Sequence, residues 1–123
     1  MSCVNERTGY AVIGKNVAAY YECDNISASP LSFKMLPVWL SVPTEILAGA
    51  DVYPWHTHEV DGRMSRGDKD GFDKICRSVS WRFMGKWHGF RLGGSMIISQ
   101  RRGQVFVYNL SNELVSLTGF CLN

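Results

Sequence analysis

At 123 residues the chain suits one domain with a core of its own and is too short for two. With 46% hydrophobic and 20% charged residues it has an ordinary globular composition, and no apolar run nears the roughly 20 residues that cross a membrane. Net charge is only +2 but unevenly spread: ten acids and six bases up to Asp73, then seven bases and one acid, Glu113, from Lys74 onward. That basic second half suits an anionic partner such as nucleic acid, although a solvated basic face is the commoner meaning of such a bias. Residues 1–7 are polar and lack the apolar centre of a signal peptide, so a cytoplasmic location is the expectation. The cysteines at 3, 23, 76 and 121 form no Cys-x-x-Cys pair, which argues against a zinc knuckle and for free thiols at least half buried.

In chain order, residues 8–14 and 17–22 are β-branched and aromatic runs around Gly14-Lys15-Asn16 and read as a hairpin. A turn-rich stretch, 24–30, precedes a short expected strand at 31–36. Pro37 and Pro43 then bracket a segment leading to a short helix at 44–47, closed by Gly49. Residues 50–58 predict a strand which Pro54 places near a sheet edge or a strand end. After a polar loop a helix is expected over 66–79, its inner face formed by Phe72, Ile75, Cys76 and Val79 despite Gly71. Residues 81–92 are aromatic and basic without a clear period. Residues 96–99 and 104–108 predict a last hairpin with Arg101, Arg102 and Gly103 at its tip. Strands with interspersed helices give a single α/β domain spanning residues 1–123, with one mixed sheet flanked by helices.

The chemistry concentrates in His56-Thr57-His58, Ser65 and Asp68. On a strand, alternate side chains share a face, so His56 and His58 point together and Thr57 opposes them. Two imidazoles on one face can fill two corners of a zinc tetrahedron, and a catalytic site needs one more protein ligand with the fourth position open. Asp68 is the natural third ligand, because Ser65-Arg66-Gly67-Asp68 reads as a capping box that sets the carboxylate on the first helical turn. A His-x-His alone is weak evidence, and the spaced serine and aspartate strengthen it. Glu59 and Asp61 are alternative oxygen ligands more easily read as loop charges, and His88 reads as a non-ligand.

The set His56, His58, Ser65 and Asp68 resembles the His-x-His…Ser-x-x-Asp pattern of the JAMM (MPN) metallopeptidase domain. Upstream, Glu6 three residues before Gly9 matches the family's glutamate at the start of a strand. The stretch from Cys23 through Asn25 and Pro30 to Phe33 is similar to small bacterial and phage members, the phage tail assembly proteins among them. The late hairpin and residues 117–120 add fainter likeness. The chain differs in having Glu59 where the family has proline, a spacer between His58 and Ser65 one residue shorter than usual, and little sequence ahead of Glu6.

The resemblance implies a JAMM/cytidine-deaminase-like architecture and a zinc-dependent peptidase or isopeptidase acting on a peptide or on the tail of a ubiquitin-like protein. Zn2+ would be bound by His56, His58 and Asp68 and would lower the pKa of a water to about 7. Glu6 would take that water's proton and pass it to the leaving amine, and Ser65 would donate to the oxyanion. Phage tail proteins are implied as partners, with a virion-associated location in that setting. Two competing expectations stand beside this one. The first is a catalytically silent JAMM-like structural protein of a phage tail. The second is a nucleic-acid binder using Arg77, Arg82, Lys86, Arg91, Arg101 and Arg102 with Trp81 and Trp87, although aromatics in a small domain are more often core.

Overall fold

In the computed structural model, the described residues are 7–15, 18–26, 34–59 and 62–119. Strands β1 (Thr8–Ile13) and β2 (Ala18–Cys23) form the expected antiparallel hairpin. Two single-turn helices follow, α1 (Val38–Ser41) and α2 (Thr44–Leu47), each preceded by a proline whose fixed φ suits a helix start. Then come β3 (Asp51–His58), α3 (Arg66–Arg77), α4 (Val79–His88), β4 (Arg91–Leu92), β5 (Ser95–Ser99), β6 (Gln104–Tyr108) and β7 (Leu114–Gly119). The strands form one mixed sheet in the order β2-β1-β3-β5-β6-β7, with β4 also paired to β3. β3 and β5 run parallel, and the chain crosses between them through α3 and α4. An α/β domain with a mixed sheet is therefore the architecture.

Pairing fixes which side chains share a face. Thr8 opposes His56, Tyr10 opposes Pro54 and Val12 opposes Val52, so these six lie on one side of the sheet. On that side Tyr10, Val12 and Val52 pack with Val38, Val42, Leu47 and Phe90, and with Trp39, Trp81 and Met84 from the helices. The opposite side buries Ala11, Trp55, Met96, Ile98 and Val105, a cluster drawn from strands alone. Helices and candidate ligands thus share a face.

Four expectations need correction. Pro54 lies in a strand paired on both sides, not at an edge. Its place is explained by the ladder: Val52 O accepts from Gly93 N–H and His58 O from Gln100 N–H, so even-numbered residues of β3 face the β4–β5 side. Pro54, without an N–H, meets the gap where Gly93 and Gly94 separate β4 from β5. Second, of the strand expected at 31–36, residues 31–33 lie outside the described residues and 34–36 belong to no strand; Leu36 O instead accepts from Tyr10 Oη at 2.7 Å. Third, the helix expected to reach 79 stops at Arg77, and Val79 is 76% exposed.

Fourth, the aperiodic stretch after residue 80 belongs largely to α4. Its ends explain this: Ser78 Oγ accepts from Trp81 N–H at 3.3 Å, and Gly89 closes the helix with φ of 79°. Replacing that cap, Ser78→Ala, is expected to lower stability by about 1 kcal/mol. A urea midpoint unchanged from wild type would show that the cap contributes nothing.

Candidate metal centre

β3 and β5 end side by side, His58 opposite Ser99, and the carboxyl ends of parallel strands are where α/β sheets commonly bind ligands. Two turns of alternation there place His56 and His58 on the helix-covered face. Thr57 points the other way and is tied down: its Oγ1 accepts from Arg7 N–H at 2.9 Å, and its own N–H donates to Arg7 O at 2.9 Å. Thr8 adds a third tie from β1, its hydroxyl donating to Trp55 O at 2.9 Å. The histidines therefore stand on backbone held to β1 residue by residue.

The third group arrives from α3. Ser65 is its N-cap, with Oγ accepting from Asp68 N–H at 3.1 Å, while the Asp68 carboxylate accepts from Ser65 N–H at 2.9 Å. This is a capping box with aspartate in the place more often held by glutamate or glutamine. The reciprocal pair fixes the carboxylate between the imidazoles. Asp68 Oδ1 lies 3.2 Å from His56 Nε2, Oδ2 lies 3.2 Å from His58 Nε2, and the two Nε2 atoms are 3.2 Å apart. The shorter spacer between His58 and Ser65 thus still brings Asp68 to both histidines.

Burial on its own raises the Asp68 pKa. Hydrogen bonding to His56 and His58, the field of His56 and the Ser65 N–H outweigh it and hold the carboxyl well below the usual carboxylate range. His56 is buried, Asp68 nearly so, and His58 half-buried. Three candidate donor atoms converge, two imidazole nitrogens and one carboxylate oxygen. Zinc bonds of 2.0–2.2 Å imply ligand–ligand edges of roughly 3.3–3.6 Å in a tetrahedron; here the imidazole nitrogens lie 3.2 Å apart and each meets a different carboxylate oxygen at 3.2 Å, with one ligand atom from each residue within 4.8 Å of the others. The donor set also leaves one of four positions open. These residues could hold a metal ion, and two imidazoles with a carboxylate are a donor set that zinc accepts.

The other expected participants are placed as follows. Glu6 and Asp61 lie outside the described residues. Glu59 is exposed and paired with Arg101 at 3.0 Å, directed to the tip of the β5–β6 turn. His88 sits in the last turn of α4, outside the converging group. Cys23 and Cys76 are free and half-buried, and burial pushes both thiols up, so neither is an activated nucleophile. Cys3 and Cys121 lie outside the described residues.

Beside His56 and Asp68 opens a cavity of about 370 Å³, which sequence reasoning did not anticipate. His56, Ser65 and Asp68 belong to its wall, and most of the remainder is apolar, with Tyr10, Met35, Phe72, Ile75 and Trp81 prominent. These come from segments far apart in sequence, so no local pattern could reveal them. The glycines of α3 are the one signal that was present, because a helix does not gain by them.

Compared with protein-family models, with curated proteins and with solved structures, the chain gives no match. No helix among the described residues is long and apolar enough to cross a membrane.

Proposed function

We propose that the chain is a JAMM-like, zinc-dependent peptidase or isopeptidase. The convergence of His56, His58 and Asp68, with Asp68 locked to Ser65 at the wall of an apolar cavity, carries this reading. The chemistry zinc supplies when bound is activation of a water and polarisation of an amide carbonyl. His56 and His58 would hold the ion through their imidazoles, and Asp68 would do so as a carboxylate that its neighbours keep ionised. Ser65 Oγ already accepts from the Asp68 N–H, which orients the hydroxyl and leaves its proton to donate to the carbonyl oxygen as that oxygen gains charge. Glu6, two residues ahead of the Thr8 that pairs with His56, takes the proton from the water and delivers it to the departing nitrogen. Water adds across the amide, the C–N bond breaks, and a carboxylate and an amine leave.

The nucleic-acid reading is less well supported, because Arg91 and Arg101 are engaged with Asp51 and Glu59. Elemental analysis of protein purified without chelator is expected to give close to one zinc per chain. With zinc loaded, Glu6→Gln is expected to keep the metal and lose cleavage by about 10²–10⁴-fold. Loss of zinc in that variant would place Glu6 among the ligands, and undiminished cleavage would remove it from the mechanism. A zinc-loaded chain that hydrolyses no peptide or isopeptide would return the structural-protein reading.

A further inference from the structure

The cavity adjoins the candidate centre, since two of its three candidate donors, His56 and Asp68, form part of the wall together with Ser65. Its volume of about 370 Å³ lies toward the lower end of ligand pockets, which run from roughly 300 to 1,000 Å³. That is room for a side chain and its flanking backbone. The long wall is apolar: Tyr10 from β1, Phe72 and Ile75 from α3, and Trp81 from α4.

Two further observations indicate that the space is kept open for something other than the protein. Gly71 lies inside α3, where glycine is disfavoured against alanine, yet a Cβ placed there would meet nothing within 4 Å. Close packing is therefore not the reason for this glycine. Gly67, one turn earlier in the same wall, has only Ser65 Oγ nearby, at 3.8 Å. On the opposite side Ser95 contributes a buried hydroxyl that has no hydrogen-bond partner among the described residues. An apolar recess bounded by a bare helix surface, opening beside a hydrolytic centre, is a side-chain pocket.

We infer that the substrate residue beside the cleaved amide carries a bulky apolar side chain, which enters this cavity along the bare surface of α3 at Gly71. The inference rests on the peptidase reading above and narrows it. A tail ending in consecutive glycines would leave the cavity empty and forgo the burial of its wall, whereas a phenylalanine or leucine would gain it.

The test separates binding from chemistry. The zinc-loaded full chain is titrated with N-acetyl-phenylalanine amide and with N-acetyl-glycine amide, following the amide resonances of Gly71, Phe72 and Ser95. The phenylalanine compound is expected to shift them and to bind about tenfold or more tightly than the glycine compound. Gly71→Leu, which places a side chain in the open space, is expected to keep its zinc and thermal midpoint but lose that binding. Equal binding of the two amides, or undiminished binding to Gly71→Leu, would overturn the inference. Should Gly71→Leu fail to fold, the pair of amides on wild type still decides. A parallel peptide pair, phenylalanine or glycine beside one amide, reads the reaction. Cleavage indifferent to that residue overturns the pocket and keeps the peptidase; selective binding with no cleavage of any peptide keeps the pocket and removes the peptidase.

Discussion

The double variant His56→Ala, His58→Ala is expected to purify without zinc and, compared metal-free with wild type, to be less stable by about 3 kcal/mol. Loss of metal follows from removing two of three donors, since one carboxylate cannot define a tetrahedral site. The stability loss has a separate origin. Asp68 is nearly buried and meets an imidazole on each oxygen, so the variant leaves a carboxylate whose remaining named partner is the Ser65 N–H. Its pH dependence gives a second readout. The Asp68 pKa lies below its ordinary value of 3.8, so the stabilisation it contributes in the metal-free wild type is complete above that value and is lost as pH falls below it. Without the imidazoles the depression is smaller, and so is the acid-side loss. Urea unfolding of both proteins between about pH 2 and 7, with chelator present, measures this. Equal slopes on the acid side would show that the imidazoles do not hold the carboxylate, and zinc retained by the variant would move the site elsewhere.

Gly9→Ala and Gly71→Ala are expected to act in opposite directions. Gly9 pairs with Trp55 across β1 and β3, and the indole lies over it. A Cβ at Gly9 would meet Trp55 ring atoms at 2.6 and 2.8 Å and collide with the Tyr21 carbonyl oxygen on the other side. The indole is buried and the carbonyl is backbone, so neither has room to yield. A loss of about 3 kcal/mol or more follows, at the upper end for overpacking. At Gly71 the same added carbon enters open space on a helix, and stability is expected to rise by about 0.5–1 kcal/mol. Thermal melts of the two variants check both signs. A neutral Gly9→Ala would mean that Trp55 does not lie where β1 and β3 hold it. Because His56 follows Trp55 directly, the same variant is also expected to weaken zinc binding.

The candidate centre was legible in the sequence because its geometry is local. A two-residue alternation puts His56 and His58 on one face, and a four-residue capping box orients Asp68; both rules act within a few peptide units. The β1–β2 and β5–β6 hairpins were legible for the same reason, as were the start of α3 and the short α2. Other features were not. The glycine three residues after Glu6 entered as part of a family spacing, whereas its physical requirement, an indole from a strand some 46 positions later, exists only once β1 and β3 pair. Pro54 signals a sheet edge by itself, and only the break between β4 and β5 makes its missing donor harmless in a strand paired on both sides. The fourth helix, α4, carries its apolar side chains on two sides, Trp81 and Met84 toward the sheet with Phe83 and Trp87 exposed and stacked, so no single apolar stripe marks it.

The sequence by itself determined the three candidate donor types, their order and the local devices that aim them. Tertiary structure alone decided that the six-residue spacer closes on both histidines, that the helices cover the same face as the donors, and that a cavity opens beside them. The physical reason is range. Alternation, capping and turn chemistry are set by neighbours along the chain, whereas a cavity is what remains after side chains from β1, α3, α4 and β5 have packed, and no segment encodes the space that the others leave.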